Sequence, residues 1–264
     1  MPTKGTSTTG SRSNLLVVRA KQVEDPFSDL QNMLTFSAQS QSHGCKAMLT
    51  ETSCAQEQQD CCPTRCKDQA EFDERNRSSN HHSGTEENIS TFSFKFQHFK
   101  TPSQMVILGF MAWAFELIKS SLKTLYEPVW GWDDSKKMAQ LQAASSRFIV
   151  ATEHSADNQR PAAFINYRLE SYDSSPACYL YEVMVDPVYQ RLGLGTHMMC
   201  LVEDMAWGLG MDRCVLTEFK ANKAAAAFYY KLGYRVDPTN PSSQTCGYVI
   251  LSKNRPGSKS VKTK

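Results

Sequence analysis

The stretch YLYEVMVDPVYQRLGLG, residues 179–195, decides how the rest of the chain is read. Its first half, YLYEVMV, is rich in aromatic and β-branched residues, which favours a strand, and Asp186-Pro187 closes it. Gly193-Leu194-Gly195 then opens the run LGTHMMCLVEDMAWGLG (194–210), which has a helical period and glycine beyond its end. A glycine turn at a helix start leaves backbone N–H groups bare at the positive end of the helix dipole, and together these favour a phosphate or pyrophosphate. The turn is not a P-loop, since no Gly-Lys-Ser/Thr follows, and the three-glycine dinucleotide spacing is absent. By itself the pattern also suits a strand-to-helix connection that needs glycine only for geometry.

Outward from this stretch, TFSFKFQHF (91–99) alternates like a strand, and a helix is predicted from about Ser103 to Glu127. Trp113, Leu117, Ser120, Ser121 and Leu125 fall at three- and four-residue steps and predict its packed face. RFIVATE (147–153), AAFINYRLE (162–170) and CYLYEVMVD (178–186) read as three strands of a meander. RCVLTEF (213–219) reads as a strand, NKAAAAFYYKLGY (222–234) as a helix stopping at Gly233, and GYVILSK (247–253) as a last strand. This order predicts an α+β domain with helices on a mainly antiparallel sheet.

The 264 residues divide unevenly. Residues 1–91 read as a largely disordered N-terminal extension, with a docking helix at 15–34, broken near Pro26, and a Cys/Ser/Gln-rich insertion at 38–88 that lacks either hydrophobic period. Residues 92–253 form the predicted domain, and 254–264 a basic tail that reads as a solvated end. A net charge of +2 and a mean hydropathy of −0.46 give no reason to expect nucleic acid as a partner. The longest apolar run, MVILGFMAWAF at 105–115, is too short to span a bilayer, and MPTKGTSTTG has no secretory apolar core, so an intracellular protein without a membrane partner is expected. Nine cysteines then read as free thiols. Cys45, Cys54, Cys61, Cys62 and Cys66, with His43, His81 and His82, offer ligand chemistry but only one close pair, so no metal is expected.

The strand YLYEVMV, the turn Gln190-Arg191-Leu192-Gly193-Leu194-Gly195, and the segment from Asn222 through Phe228, Tyr229 and Tyr230 to Tyr234 resemble, in order and spacing, the acetyl-CoA-binding motifs of the GNAT acetyltransferase superfamily. The resemblance implies the acyl-CoA N-acyltransferase fold, with its sheet splayed at the cofactor strand, and acetyl-CoA as cofactor. It implies that backbone groups of Val183, Met184 and Val185 meet the pantetheine arm. Arg191, Leu192, Gly193, Leu194, Gly195 and Thr196 would meet the pyrophosphate, and Asn222 would contact the cofactor from the other side. Asn222 as a plain helix cap is compatible with that part.

Over roughly 113–253 the chain also resembles the N-alpha-acetyltransferase D family, histone-specific protein N-terminal acetyltransferases. WAFELIKSSLKTLYEPVWGWDD, FINYRLE, YLYEVMV, VLTEFKAN and GYVILS carry this likeness, Trp130-Gly131-Trp132 and Tyr179-Leu180-Tyr181-Glu182 above all; the 38–88 segment departs from it. The resemblance implies acetyl transfer to the α-amino group of histone tails beginning Ser-Gly-Arg-Gly, by a monomer in cytoplasm and nucleus. An α-amine of pKa near 7.7–8.0 must lose a proton before attacking, and the resemblance marks Glu182 for that task. A carboxylate with a reference pKa near 4.3 needs burial or an ordered water to serve. Tyr179 and Tyr181 accompany Glu182, and Tyr126, Trp130, Tyr181 and Tyr248 wall the peptide slot. Glu170 stands where the family has Asp, Thr217 and Thr239 match peptide-contacting hydroxyls, and Tyr229 occupies the place of a phenol that protonates the departing thiolate. Each aromatic also suits an ordinary core position, and each threonine a strand or turn. A GNAT enzyme for a lysine side chain or small amine, and a non-catalytic binding module on the same fold, stay open.

Overall fold

A computed structural model describes residues 35–40, 46–49, 90–154, 159–243 and 246–257. The expected disorder of 1–13, the helix at 15–34, most of the 38–88 insertion and the end of the basic tail lie outside the described residues.

The strands are β1 (Thr35–Ser40), β2 (Lys46–Leu49), β3 (Ser90–Phe99), β4 (Arg147–His154), β5 (Gln159–Tyr172), β6 (Ser175–Val185), β7 (Arg213–Phe219), β8 (Arg235–Val236) and β9 (Tyr248–Asn254). The helices are α1 (Pro102–Ile107), α2 (Phe110–Tyr126), α3 (Asp134–Leu141), α4 (Leu194–Gly208) and α5 (Lys223–Lys231). One sheet runs in the order β2-β1-β3-β4-β5-β6-β7-β9-β8. Every pairing is antiparallel except β6 with β7, so the expected α+β architecture, a mainly antiparallel sheet with flanking helices, is what forms.

Three local expectations differ from the fold. The helix predicted as one piece from Ser103 to Glu127 is two, because Gly109 takes a φ of +74°, a left-handed value that ends one helix and starts the next. The buried face of α2 is Met111, Ala114, Phe115, Leu117 and Ile118; Ser120 and Ser121 are exposed. Residues 38–40 and 46–49, read as part of a disordered insertion, belong to β1 and β2, with β1 paired to β3 from Thr35↔Lys95 to Ser40↔Ser90. The open edge of β3 is a partner that local composition does not display. Helix α3, capped by Asp133 accepting from the Lys136 N–H, was not anticipated either.

The sheet separates two cores. Ile165, Leu180, Val202 and Leu251 pack with α4 and α5 on one side. Ile118, Phe148, Phe164 and Met184 pack with α1, α2 and α3 on the other. Phe164 and Ile165 are consecutive and face opposite ways, as strand geometry requires. In β6 that rule is interrupted: Asn166 pairs with Glu182 and Tyr167 with Leu180, so Tyr181 is an extra residue without a partner in β5. The bulge switches the parity of the strand. Leu180 packs on the α4 side, whereas Met184 packs on the α2 side, and Val183 and Val185 now turn toward α4.

Candidate active site

Beyond Leu180↔Leu216 the parallel strands β6 and β7 no longer pair. The wedge between them is the floor of a cavity of about 550 Å³, walled by α2, the start of α5 and β9. The β6 bulge decides what faces it. Past Tyr181 the side chain of Glu182 points to the α2 and α3 side, where it is 5 % exposed.

There Lys137, from the unanticipated helix α3, holds it: Lys137 Nζ lies 2.8 Å from Glu182 Oε1, with both side chains buried. The same ammonium donates to the Tyr126 hydroxyl (2.5 Å) and to Gln140 Oε1 (2.7 Å), and it lies 4.2 Å from the centre of the Tyr126 ring. Tyr126 in turn donates to Glu182 Oε1 at 3.4 Å. Burial first, then the Glu182 charge, pushes the Tyr126 phenol far above its ordinary range, so it is a neutral donor.

Of the residues expected at the reacting end, Glu182, Tyr181 and Tyr179 all line the cavity. The rings of Tyr179 and Tyr181 lie 5.0 Å apart, and the Arg168 guanidinium stacks 4.0 Å from Tyr181. Tyr179 and Thr217 share a 2.6 Å hydrogen bond between hydroxyls, and burial pushes the Tyr179 phenol up to about 12. Burial also raises Tyr181 and Tyr229. None of these phenols is a base near neutral pH.

The expected peptide wall comes together in part. Tyr126, Trp130, Thr217 and Tyr248 line the cavity, with Trp130 centred 5.5 Å from Tyr126, 4.9 Å from Phe219 and 5.1 Å from Tyr248. Thr239 and Glu170 do not line it. Thr239 instead shares a 2.7 Å hydrogen bond with the Tyr172 hydroxyl, and Tyr172 does face the cavity. Glu170 lies on β5 paired with Ala177, close enough to Tyr179 and Tyr181 to raise both phenols.

Val183, Met184, Asn222 and Tyr229 line the cavity; Val185 and the turn 191–196 lie beyond its lining. Asn222 caps α5, its Oδ1 accepting from the Ala225 N–H. In the turn, Arg191 has a φ of +66° and Gly193 of +83°, and no side chain caps α4. Leu192 and Leu194 are core residues, so their side chains are turned away from any ligand and only their backbone is available. The left-handed turn and the bare first N–H groups of a 15-residue helix fit the phosphates of a nucleotide cofactor.

Sequence reasoning passed over Lys137, Gln140, Tyr172, Phe219 and above all Glu218. Glu218 lines the cavity, is 7 % exposed, and accepts the Phe219 N–H on Oε1 at 2.9 Å. Among the described residues no Lys, Arg or His lines the cavity, and no ion pair includes Glu218. Burial pushes its carboxyl up to about 7, against the Phe219 N–H and the Asn222 side chain, which stabilise the anion; the Glu182 charge raises it further. A signal was available, a single acid in the strand RCVLTEF, whose Cys214, Val215, Leu216 and Phe219 are apolar. No group of three or more metal-ligating side chains occurs among the described residues.

This splayed sheet, glycine turn and buried cavity define an N-acetyltransferase fold, and residues 115–234 match the Acetyltransferase (GNAT) family. The sheet and its flanking helices have the GNAT fold, and acetyl-CoA is the usual cofactor of the GNAT family that residues 115–234 match. Among solved structures, it is similar to the PaiA N-acetyltransferase of Thermoplasma acidophilum in complex with coenzyme A (16 % identity, 61 % of this chain and 99 % of that one, TM-score 0.43). It is also similar to the ribosomal-protein-S18-alanine N-acetyltransferase of Escherichia coli (19 %, 65 % and 99 %, TM-score 0.44). A third is NAA60 of Arabidopsis thaliana in complex with a bisubstrate analogue (11 %, 62 % and 99 %, TM-score 0.42).

Proposed function

We propose that this protein acetylates the α-amino group of a peptide, with histone tails beginning Ser-Gly-Arg-Gly as the substrate class. The observation that carries the reading is the character of the cavity: two buried carboxylates, Glu182 and Glu218, an aromatic wall from Tyr126, Trp130 and Tyr248, and no cationic side chain in its lining. Such a site draws in a small ammonium group by charge and ring faces alike. A primary ammonium on a narrow, extended peptide end suits it.

Bound acetyl-CoA supplies an acetyl group activated as a thioester. The backbone N–H groups of Gly193, Leu194, Gly195 and Thr196 would receive its pyrophosphate, Arg191 would add charge beside it, and Val183, Met184 and Val185 would border its arm along the splayed strand. Asn222, fixed as the cap of α5, borders the same end. Glu182, fixed by Lys137 and Tyr126, orients the ammonium; Tyr179 and Tyr181, as neutral phenols, donate hydrogen bonds to the peptide end. Glu170 adds negative charge beside those two phenols, which in this reading favours a basic third residue of the peptide. Thr217 holds Tyr179 in place, and Thr239 holds Tyr172. In this reading the enzyme works as a monomer in cytoplasm and nucleus.

Mass spectrometry on two peptides tests this: one has a free Ser-Gly-Arg-Gly terminus, and the other has the same sequence with a blocked terminus and its lysines intact. With acetyl-CoA, the free terminus gains a single acetyl group and the blocked peptide none. Acetylation of the blocked peptide at a comparable rate makes the lysine side chain the acceptor, and acetylation of neither leaves a binding module.

A further inference from the structure

Accepting a proton on Glu182 would leave Lys137 charged in a buried site without its counter-ion, and the Oε1 of Glu182 is already engaged by Lys137 and Tyr126. Glu218 accepts hydrogen bonds from the Phe219 N–H and the Asn222 side chain, but it leaves no buried cation unpaired when it takes up a proton. It lies on the same cavity, more than nine-tenths buried, with no cation paired to it among the described residues and one oxygen fixed by its neighbour's N–H. The groups facing it are Glu182 from β6, Tyr126 from α2, and Asn222 and Tyr229 from the start and body of α5; Tyr248 from β9 lines the same cavity. All the tyrosines are neutral phenols near pH 7, so Glu218 and Glu182 are the two anions, and Glu182 is the neutralised one.

We infer that Glu218, and not Glu182, is the residue that takes the proton from the incoming amine, while Glu182 is a positioning residue. The inference rests on the acetyl-transfer reading above. In the step, an N–H bond of the ammonium breaks, its electron pair stays on nitrogen, and the proton moves to a Glu218 carboxylate oxygen. As nitrogen then bonds to the acetyl carbon, the carbon–sulfur bond breaks with its pair leaving on sulfur. The second proton lost from nitrogen ends on that sulfur, and Glu218 returns the first to solvent. Burial has given Glu218 a proton affinity close to that of an α-amine, the match that general-base transfer needs. An unburied carboxylate lacks it.

Two measurements on the full chain test the assignment. Infrared difference spectra of wild type against Glu218→Gln, recorded without cofactor across the acid-to-alkaline range, read the carboxyl directly. A protonated-carboxyl band that titrates near 7 and is absent from the variant is expected, and in Glu182→Gln the same band titrates at lower pH, because a neighbouring negative charge is gone. Turnover against pH is then measured with whichever amine the wild type acetylates: the free-terminus peptide, the blocked lysine peptide or a small primary amine. Glu218→Gln loses on the order of 10²–10⁴ in kcat and loses the rising limb near neutral pH, with acetyl-CoA affinity unchanged, and Glu218→Asp recovers part of the rate. Acetylation of the wrong amine sinks the peptide reading while the limb still judges Glu218. A band that titrates in the ordinary carboxylate range, a Gln variant that keeps wild-type kcat, or a wild type inert toward all three amines overturns the assignment.

Discussion

Lys137 and Glu182 form a buried ion pair 2.8 Å long at the floor of the cavity, bringing together a short helix and a bulged strand 45 residues apart in sequence. The pair fixes the Glu182 carboxylate at the cavity and neutralises its charge there. Removing one partner should therefore cost more than removing both. Lys137→Met leaves Glu182 buried and unpaired, and destabilisation of about 3–5 kcal/mol is expected; Lys137→Met with Glu182→Met should recover most of it. Urea unfolding of wild type and both variants measures this, and a Lys137→Met variant as stable as wild type would refute it.

Glu218 makes stability depend on pH in a stated direction. Its carboxyl is raised from an ordinary 4.5 to about 7 in the fold, so the folded state disfavours the anion. The contribution is fully present below the unfolded value, is lost as pH rises through the interval from about 4.5 to about 7, and is constant above it. Relative to Glu218→Gln, which does not titrate, wild type should lose roughly 3 kcal/mol across that interval, at about 1.36 kcal/mol for each pH unit. Chemical denaturation of both proteins at several pH values checks it; a constant difference would count against the burial argument.

Gly193 holds a φ of +83° at the uncapped start of α4. Gly193→Asp brings a side chain into a left-handed conformation, at a cost of roughly 1–2 kcal/mol, and a negative charge against the pyrophosphate. Calorimetry should show acetyl-CoA binding lost from a folded protein. Unchanged affinity would reduce the turn to a structural connection.

Trp130 is 51 % exposed yet packs against three other rings of the wall, edge-on to Tyr126 and tilted against Phe219 and Tyr248. Trp130→Ala should leave the fold intact and weaken peptide binding by about 2 kcal/mol, as truncation of an aromatic anchor does, seen as a raised peptide KM. The acetyl-CoA KM should not move. If it is the acetyl-CoA KM that rises, the wall belongs to the cofactor.

Much of this was legible in the sequence. Alternation and punctuation located β3 to β7 and β9 and the glycine turn marked α4, because periodicity and turn chemistry are local properties, while the resemblance placed the Tyr179–Glu182 run at the cavity it lines. Asn222 was readable as a cap for the same reason. What the sequence could not state was parity and partnership. The extra residue at Tyr181 exists only relative to β5, and it alone turns Glu182 from the α4 side to the α3 side. Lys137 then meets Glu182 because α3 packs there, and Glu218 becomes a strong proton acceptor because it is buried in the cavity, with the Glu182 charge across it on another strand. Which carboxylate is paired and which is left to titrate near neutrality is set by burial and by neighbours across space, and only the tertiary structure supplies those.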